Sequence, residues 1–228
     1  MMSEFDPYGD SYADKVNESI SFSGLKADFF TRVKADYLVD LARRELGDPA
    51  KLNVLDIGCG IGLSHRQLAA AFGQLTGIDP SATCIERARA AHPEANYLVN
   101  NGLTLPVEDG TFDVAVTVCV MHHVPPGQWP AFIGEMARTV RPGGLVAVFE
   151  HNPRNPLTRR VVSNCEFDKD AVLLPASRTV QLLRSAGMSS ADRFYLLTIP
   201  AAGRFLRATD QLLSSIGLGA QYAAWGRK

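Results

Sequence analysis

The sequence predicts an α/β protein in which a doubly wound, mostly parallel, seven-stranded sheet carries helices on both faces. Two observations support this fold class. Short β-branched apolar segments alternate with longer amphipathic segments, and the first apolar segment ends in a glycine-rich turn. Strands that alternate with helices in this way form parallel sheets. With 228 residues, 46% of them hydrophobic, the chain can bury one sizeable core, so we expect a single domain.

The alternation sets the order of the elements. The predicted strands are Asn53 to Ile57, Gln74 to Ile78, Tyr97 to Val99, Phe112 to Val118, Leu145 to Glu150, Phe194 to Leu197 and Gln221 to Trp225. The predicted helices are Lys26 to Leu46, Leu63 to Phe72, Ser81 to Ala91, Pro130 to Val140, Thr179 to Ala186 and Phe205 to Ile216. Gly47 ends the first helix, Asp79 or Ser81 caps the third, and Pro142-Gly143-Gly144 closes the fourth.

Composition narrows the classes of partner. The 23 lysines and arginines nearly balance the 24 aspartates and glutamates, so no long-range field draws in nucleic acid or an anionic membrane. The four cysteines form no C-x-x-C pair, which favours reduced thiols and a cytoplasmic location. The N-terminus is acidic and aromatic, and no apolar run approaches the roughly 20 residues of a membrane helix. We therefore expect no export signal and no membrane anchor.

The strongest motif is VLDIGCGIG, Val54 to Gly62, in which a strand, an acid and three glycines lead into a helix. Gly58 and Gly60 permit a tight turn and a close approach of the backbone to a ligand. A dinucleotide fingerprint, G-x-G-x-x-G, requires a small residue where this chain has Leu63. Asp56 would repel a pyrophosphate and attract an ammonium group. The turn therefore favours a cationic nucleotide without phosphates.

Further candidate residues follow the next three strands. Asp79 lies 23 positions after Asp56 (79 minus 56), near the offset of about 20 residues at which an acid binds ribose hydroxyls. Asn101 and Gly102 follow the third strand, where an adenine edge would lie, and an asparagine offers both a donor and an acceptor to it. Cys119 follows the fourth strand, and we expect it to line the floor of the same site.

Together these motifs resemble those of the class I S-adenosylmethionine-dependent methyltransferases, and of their small-molecule branch in particular. The resemblance covers about Leu52 to Glu150, through VLDIGCGIG, the acid of GIDPS, LPVEDGTFDVAVT, MHHV and RPGG. It implies a Rossmann-like methyltransferase fold with an N-terminal helical lid. It also implies S-adenosylmethionine as cofactor and S-adenosylhomocysteine as product.

The resemblance assigns roles to individual residues. Asp56, Gly58 and Gly60 would border the methionine and ribose, Asp79 would hold the ribose, and Asn101 with Gly102 would flank the adenine. The branch usually has an aspartate where this chain has Asn101, although an amide also accepts from the adenine amino group. The complete expected cofactor set is Asp56, Gly58, Cys59, Gly60, Asp79, Pro80, Asn101, Gly102 and Cys119.

We divide the domain into two parts. Residues 1–50 form an N-terminal arm and helix that we expect to act as a lid within the same domain, although the aromatic side chains of the arm could equally pack on the sheet edge. Residues 51–228 form the S-adenosylmethionine-binding part, with a substrate-side insertion at about 151–176. Arg159 and Arg160 in this insertion either grip an anionic acceptor or form a solvated charge cluster.

Methyl transfer from a sulfonium is an in-line displacement that needs no protein nucleophile, so positioning and water exclusion supply most of the rate. A hydroxyl or protonated amine must still lose a proton, and histidine is suited to remove it near neutral pH. The candidates are His122, His123 and His151, of which we choose His151 as the base and His123 as a second catalytic candidate. The alternative for each is a hydrogen-bonded structural histidine. We expect no metal at these histidines with Asp168, because no ligand spacing supports one.

The predicted function is methyl transfer from S-adenosylmethionine to a small-molecule acceptor in biosynthetic metabolism. A nicotinamide-dependent oxidoreductase shares the sheet, but Leu63 and Asp56 argue against its pyrophosphate. A nucleic-acid methyltransferase shares the cofactor site, but CVMHH replaces the Asn/Asp-Pro-Pro-aromatic motif of enzymes that methylate base amino groups. A module that only senses the cofactor is a further alternative. The acceptor and the oligomeric state are not predicted.

Overall fold

The structure, a computed structural model, describes residues 27–100, 104–165, 168–198 and 209–228. The predicted N-terminal arm and the predicted adenine contacts Asn101 and Gly102 lie outside these ranges, as does the first part of the helix predicted from Phe205.

Seven strands in the described ranges form one sheet in the order β3-β2-β1-β4-β5-β7-β6. They are β1 (Asn53–Ile57), β2 (Gln74–Asp79), β3 (Asn96–Val99), β4 (Phe112–Val118), β5 (Val140–His151), β6 (Ser190–Leu196) and β7 (Gln221–Arg227). The pairs among β1 to β5 are parallel, whereas β7 lies antiparallel between β5 and β6. The prediction of a doubly wound, mostly parallel sheet is confirmed.

Helices cover both faces of the sheet. They are α1 (Ala27–Leu46), α2 (His65–Ala71), α3 (Ala82–Ala91), α4 (Trp129–Thr139), α5 (Pro156–Asn164) and α6 (Ala176–Ser185). Alternate residues of β5 supply the two cores, because successive strand residues point to opposite faces. Val146 and Val148 pack with α4 and α6, while Ala147 and Phe149 pack with α1 and α2.

Two local predictions are corrected. Helix α4 ends at Thr139, so Pro142-Gly143-Gly144 does not close it and lies within the first part of β5. Phe112 of β4 pairs with Val140, but Val114 pairs with Leu145. Between these two pairs the chain advances five residues along β5 and only two along β4. The extra residues bulge, and Gly143 takes a φ of 75° there, a conformation that costs glycine little.

The second correction concerns residues 152–176, which the sequence indicates as an irregular insertion. They contain helix α5, which begins after Asn155 with Pro156 in its first turn. The Asn155 side chain accepts hydrogen bonds from the backbone N–H groups of Leu157 and Thr158 at 3.0 and 3.1 Å. An asparagine cap followed by proline is a helix-start signal, so this helix was predictable. No helix in the described ranges is long and apolar enough to cross a membrane.

Candidate functional site

A cavity of about 320 Å³ opens at the carboxyl ends of β1, β4 and β5. Strand order reverses between β1 and β4, which is where open α/β sheets bind their ligands. One wall is the glycine-rich turn after β1, and the opposite wall comes from α1 and α5. Of the residues predicted for the site, those on its lining are Asp56, Gly58, Cys59, Gly60, Cys119, His123 and His151. Asp79 and Pro80 are not part of this lining.

The glycine-rich turn is built tightly onto the sheet. The backbone N–H groups of Gly58 and Cys59 both donate to the carbonyl oxygen of Ile78, at 2.7 and 3.1 Å. Gly58 has a φ of 76°, and a Cβ there would lie 2.5 Å from Cγ2 of Val120. Gly60 has a φ of 53°, but no atom lies within 4 Å of the position of its Cβ. Gly58 therefore serves packing, whereas Gly60 keeps space open beside the cavity.

Asp79, at the end of β2, forms hydrogen bonds that hold this turn in place. Its Oδ2 accepts from the N–H of Gly60 at 2.8 Å, and its Oδ1 accepts from the N–H of Ser81 at 2.9 Å. The sequence analysis predicts Asp79 as a ribose-binding residue or a helix cap and misses this positioning role. Ser81, not Asp79, is the N-cap of α3, since its hydroxyl oxygen accepts from the N–H of Cys84 at 3.1 Å.

Asp56 presents a carboxylate oxygen to the cavity wall. It is 2% exposed, and its Oδ2 lies 3.1 Å from Nε2 of His65, whose Nδ1 lies 2.6 Å from the Tyr97 hydroxyl. Burial raises the pKa of Tyr97 above its ordinary value, so the phenol stays protonated and can donate a hydrogen bond to Nδ1 of His65. His65 then donates from Nε2 to Asp56. The other oxygen, Oδ1 of Asp56, is buried and has no hydrogen-bond partner among the described residues.

His122 lies on the acceptor side between two carboxylates. Its Nδ1 is 2.7 Å from Oε2 of Glu150 and its Nε2 is 3.3 Å from Oδ1 of Asp168. Burial lowers the pKa of His122, but the charge of Glu150 and the hydrogen bonds to Asp168 and Glu150 outweigh burial and raise it well above its usual range. Burial alone would raise the pKa of Glu150, but the His122 charge and hydrogen bond reduce it to about 2. The two groups form a buried ion pair.

The two predicted catalytic histidines flank this pair. His123 lies with Nε2 3.5 Å from Asp168, and burial together with the charge of His122 lowers its pKa to about 4. The ring of His151 lies 5.1 Å from that of His122, and its Nδ1 is 3.5 Å from Nε2 of Gln221. The structure thus brings His122, His123 and His151 together at one end of the cavity.

Cys119 lies between a side chain from α1 and a side chain from β7. It has a φ of 56°, and its Sγ lies 3.5 Å from Nζ of Lys34 and 3.7 Å from Nε2 of Gln221. Burial raises the pKa of Cys119, but the ammonium of Lys34 and the neighbouring His151 outweigh burial and lower it to about 7. Lys34, Glu150 and Gln221 escaped the sequence interpretation. Lys34 could not be predicted from the sequence, because nothing in α1 indicates which of its residues lines the cavity.

The strand order and the helices on both faces of the sheet define a Rossmann-like domain with a cavity where the strand order reverses. A family model described as a methyltransferase domain matches residues 54–144. A ubiquinone biosynthesis O-methyltransferase of Methylobacterium nodulans is 30% identical over 202 residues, which cover 79% of this chain and 80% of that protein. A 2-methyl-6-phytyl-1,4-hydroquinone methyltransferase of Synechocystis sp. is 38% identical over 111 residues, 47% of this chain and 34% of that protein.

A solved structure shows the same fold over nearly the whole chain. It is an S-adenosylmethionine-dependent methyltransferase of Thermotoga maritima, described as a possible histamine N-methyltransferase. It is 20% identical, covers 98% of each chain and has a TM-score of 0.69. The present chain belongs to the class I S-adenosylmethionine-dependent methyltransferases, and its cofactor is S-adenosylmethionine.

Proposed function

We propose that this methyltransferase acts on a largely apolar small molecule that carries a hydroxyl or amine, in biosynthetic metabolism. The observation that carries the proposal is that one cavity has the glycine-rich turn at one end and the histidines at the other. Cofactor and acceptor therefore share one enclosure, as an in-line displacement requires.

The residues present fit the cofactor. Oδ1 of Asp56, which has no hydrogen-bond partner within the described ranges, would accept from the ammonium of the methionine portion, and the open side of Gly60 would let the nucleotide approach the backbone. Asp79 would bind the ribose hydroxyls, with Pro80 beside it. Asn101 and Gly102 remain the proposed adenine contacts. S-adenosylmethionine, when bound, supplies the methyl group as a sulfonium substituent.

The lining indicates the acceptor class. Its side chains away from the histidines are largely apolar: Phe30, Leu38, Leu63, Phe149, Leu157 and Val161. Arg159 and Arg160 are exposed on α5 and do not line the cavity, so neither of them grips an anionic acceptor there. The names of the two relatives refer to ubiquinone and to a hydroquinone, which carry polar ring oxygens on an apolar body. These observations support a small molecule over a nucleic acid as partner.

His151 is the proposed general base, and His123 the second candidate. His151 ends β5 and lines the cavity with Cys119. Gln221 lies close enough to orient its ring. His123 stays neutral near pH 7 because its pKa is lowered to about 4, which makes it a weaker base than an ordinary histidine. Helix α5 and Asp168 belong to the proposed substrate-side insertion, because Leu157, Val161 and Asp168 lie on the lining.

Calorimetry tests the cofactor half of this proposal. S-adenosylmethionine, S-adenosylhomocysteine and NAD are titrated into the wild type, Asp79→Ala and the matched control Asp192→Ala, whose acid is exposed on β6. We expect the first two ligands to bind the wild type and the control. We expect Asp79→Ala to bind them roughly 100-fold more weakly, because it loses two charge-assisted hydrogen bonds in addition to the ribose contact. Binding of NAD alone would overturn the proposal.

An acceptor panel tests the other half. Phenols, hydroquinones, amines and short RNAs are incubated with the enzyme and S-adenosylmethionine, and formation of S-adenosylhomocysteine is followed. We expect turnover with apolar hydroxyl or amine compounds. Turnover with RNA alone would contradict the small-molecule proposal, and cofactor binding without turnover on any acceptor would favour a sensing module.

A further inference from the structure

Three potential ligand atoms converge beside the cavity. Oδ1 of Asp168 lies 3.3 Å from Nε2 of His122 and 3.5 Å from Nε2 of His123, and all three atoms lie within 4.8 Å of one another. Nitrogen and oxygen ligands at 2.0 to 2.1 Å from a tetrahedral ion stand about 3.4 Å apart. Two of the three separations therefore already have the length that such an ion needs.

Glu150 supplies a second, independent feature of a metal site. A metal-bound histidine usually donates its other ring N–H to a carboxylate, which fixes the ring and strengthens the ligand. Nδ1 of His122 lies 2.7 Å from Oε2 of Glu150, and both side chains are almost fully buried. The other oxygen of Glu150, Oε1, is buried and has no hydrogen-bond partner in the part of the chain that the structure describes. The ring of His122 is thus held with Nε2 directed at Asp168.

We propose that His122, His123 and Asp168 bind a divalent first-row transition metal ion of the zinc type. Two imidazole nitrogens suit such an ion, whereas magnesium and calcium prefer oxygen ligands. All three ligand residues line the cavity, so the coordination position that three protein ligands leave open faces the acceptor space. Binding replaces the Nε2 proton of His122 and leaves its bond to Glu150 in place.

Metal binding does not depend on the proposed methyl transfer, but any part that the ion takes in holding an acceptor oxygen does rest on that function. The sequence expectation of no metal arose because the ligands show no local spacing. His122 and His123 follow β4, while Asp168 follows α5, and only the fold brings them together.

Cobalt tests the site without using activity. The full-length protein is freed of metal by dialysis against a chelator and titrated with Co²⁺, whose visible absorption is strong in tetrahedral nitrogen and oxygen sites. We expect saturation at one equivalent, displacement by Zn²⁺, and no displacement by excess Mg²⁺. The variants His123→Ala and Asp168→Asn should each weaken Co²⁺ binding roughly tenfold or more. The matched controls His92→Ala and Asp170→Asn should bind Co²⁺ like the wild type.

Two outcomes would overturn the proposal: no tetrahedral absorption in the wild type, or the same absorption and affinity in both ligand variants. Asp168→Asn keeps the size and a hydrogen-bonding group, so it remains informative if His123→Ala does not fold. Calorimetry with S-adenosylhomocysteine on the same samples separates the two hypotheses. Cofactor binding without Co²⁺ binding removes only the metal site, and Co²⁺ binding without cofactor binding removes only the proposed function.

Discussion

The two ends of the cavity are assembled in different ways. On the cofactor side, Asp56 and Asp79 belong to the adjacent strands β1 and β2, and Asp79 holds the turn at Gly60 by accepting from backbone N–H groups. On the acceptor side, His122 meets Glu150 and Asp168 through side chains alone, from separate parts of the chain. The cofactor side therefore depends on the course of the backbone, and the acceptor side on buried charge. Substitutions at the two ends should therefore have different effects on the protein.

The largest expected effect is on turnover, at His151. With an acceptor from the panel, His151→Ala should lower kcat by about 10² to 10⁴, the usual contribution of a general base. His151→Asn, which can still form a hydrogen bond to Gln221 but cannot take a proton near pH 7, should lose as much. S-adenosylhomocysteine affinity should stay within about twofold in both variants. Full turnover with an unchanged pH profile would show that His151 has no part in proton removal.

The next effect is on stability, at Glu150. Glu150→Ala leaves His122 as a buried cation with only one carboxylate, and we expect the free energy of unfolding to fall by about 3 to 5 kcal/mol. The exposed pair of Arg43 and Asp40 is the control, because Asp40→Ala should cost about 1 kcal/mol or less. Denaturant unfolding at pH 6 measures both. Equal effects of the two substitutions would contradict the buried ion pair.

The same pair predicts a pH dependence. The pKa of Glu150 is lowered from 4.5 to about 2, so its contribution is present above pH 4.5 and is lost as the pH falls towards 2. The pKa of His122 is raised, so its contribution is complete below its ordinary value of 6.5 and is lost as the pH rises through the raised value. The stability difference between wild type and Glu150→Ala should thus be largest between pH 4.5 and 6.5. A difference that grows below pH 4.5 would contradict this assignment.

On the cofactor side, two glycines make a sharper comparison. Both have positive φ, so an alanine at either costs about 1 to 2 kcal/mol. Gly58→Ala adds a clash with Val120, whereas a Cβ at Gly60 meets nothing within 4 Å. We expect Gly58→Ala to destabilise the protein more, and Gly60→Ala to weaken S-adenosylhomocysteine binding roughly tenfold with the smaller loss of stability. Thermal unfolding measures the stability of both variants, and calorimetry measures their S-adenosylhomocysteine affinity. If Gly60→Ala loses more stability and Gly58→Ala loses more affinity, Gly60 does not face the ligand.

The smallest effect is a shift in a titration, at Cys119. Its pKa of about 7 predicts that alkylation by iodoacetamide, followed at this residue by mass spectrometry, rises through pH 7 as the thiolate forms. Lys34→Met removes the nearby ammonium and should move the midpoint to higher pH. The matched control Lys51→Met, at an exposed lysine, should leave it unchanged. A midpoint that is the same in wild type and Lys34→Met would show that Lys34 does not stabilise the thiolate.

The contrast between the two ends also explains what could be predicted from sequence. Strands β1 and β4 have the predicted limits, because both are short apolar runs with clear ends. The cofactor motif is local, so its turn and its acid could be predicted from the sequence alone. The carboxylate partners of His122 could not, since nothing in MHHV indicates which acids the sheet will bring against it. Helix α5 was missed for another reason: a polar composition was given more weight than its Asn155-Pro156 start.

The position of β7 has a consequence for synthesis of the chain on the ribosome. β5 pairs with β7 over its whole second half, yet the paired residues His151 and Gln221 are 70 positions apart. At about 5 to 20 residues per second, roughly 4 to 14 s separate the emergence of the two. During that interval one edge of β5 is an open template for pairing with other chains. The histidine end of the cavity is thus the last to be completed, and a nascent chain is most exposed to misassembly while it waits for that strand.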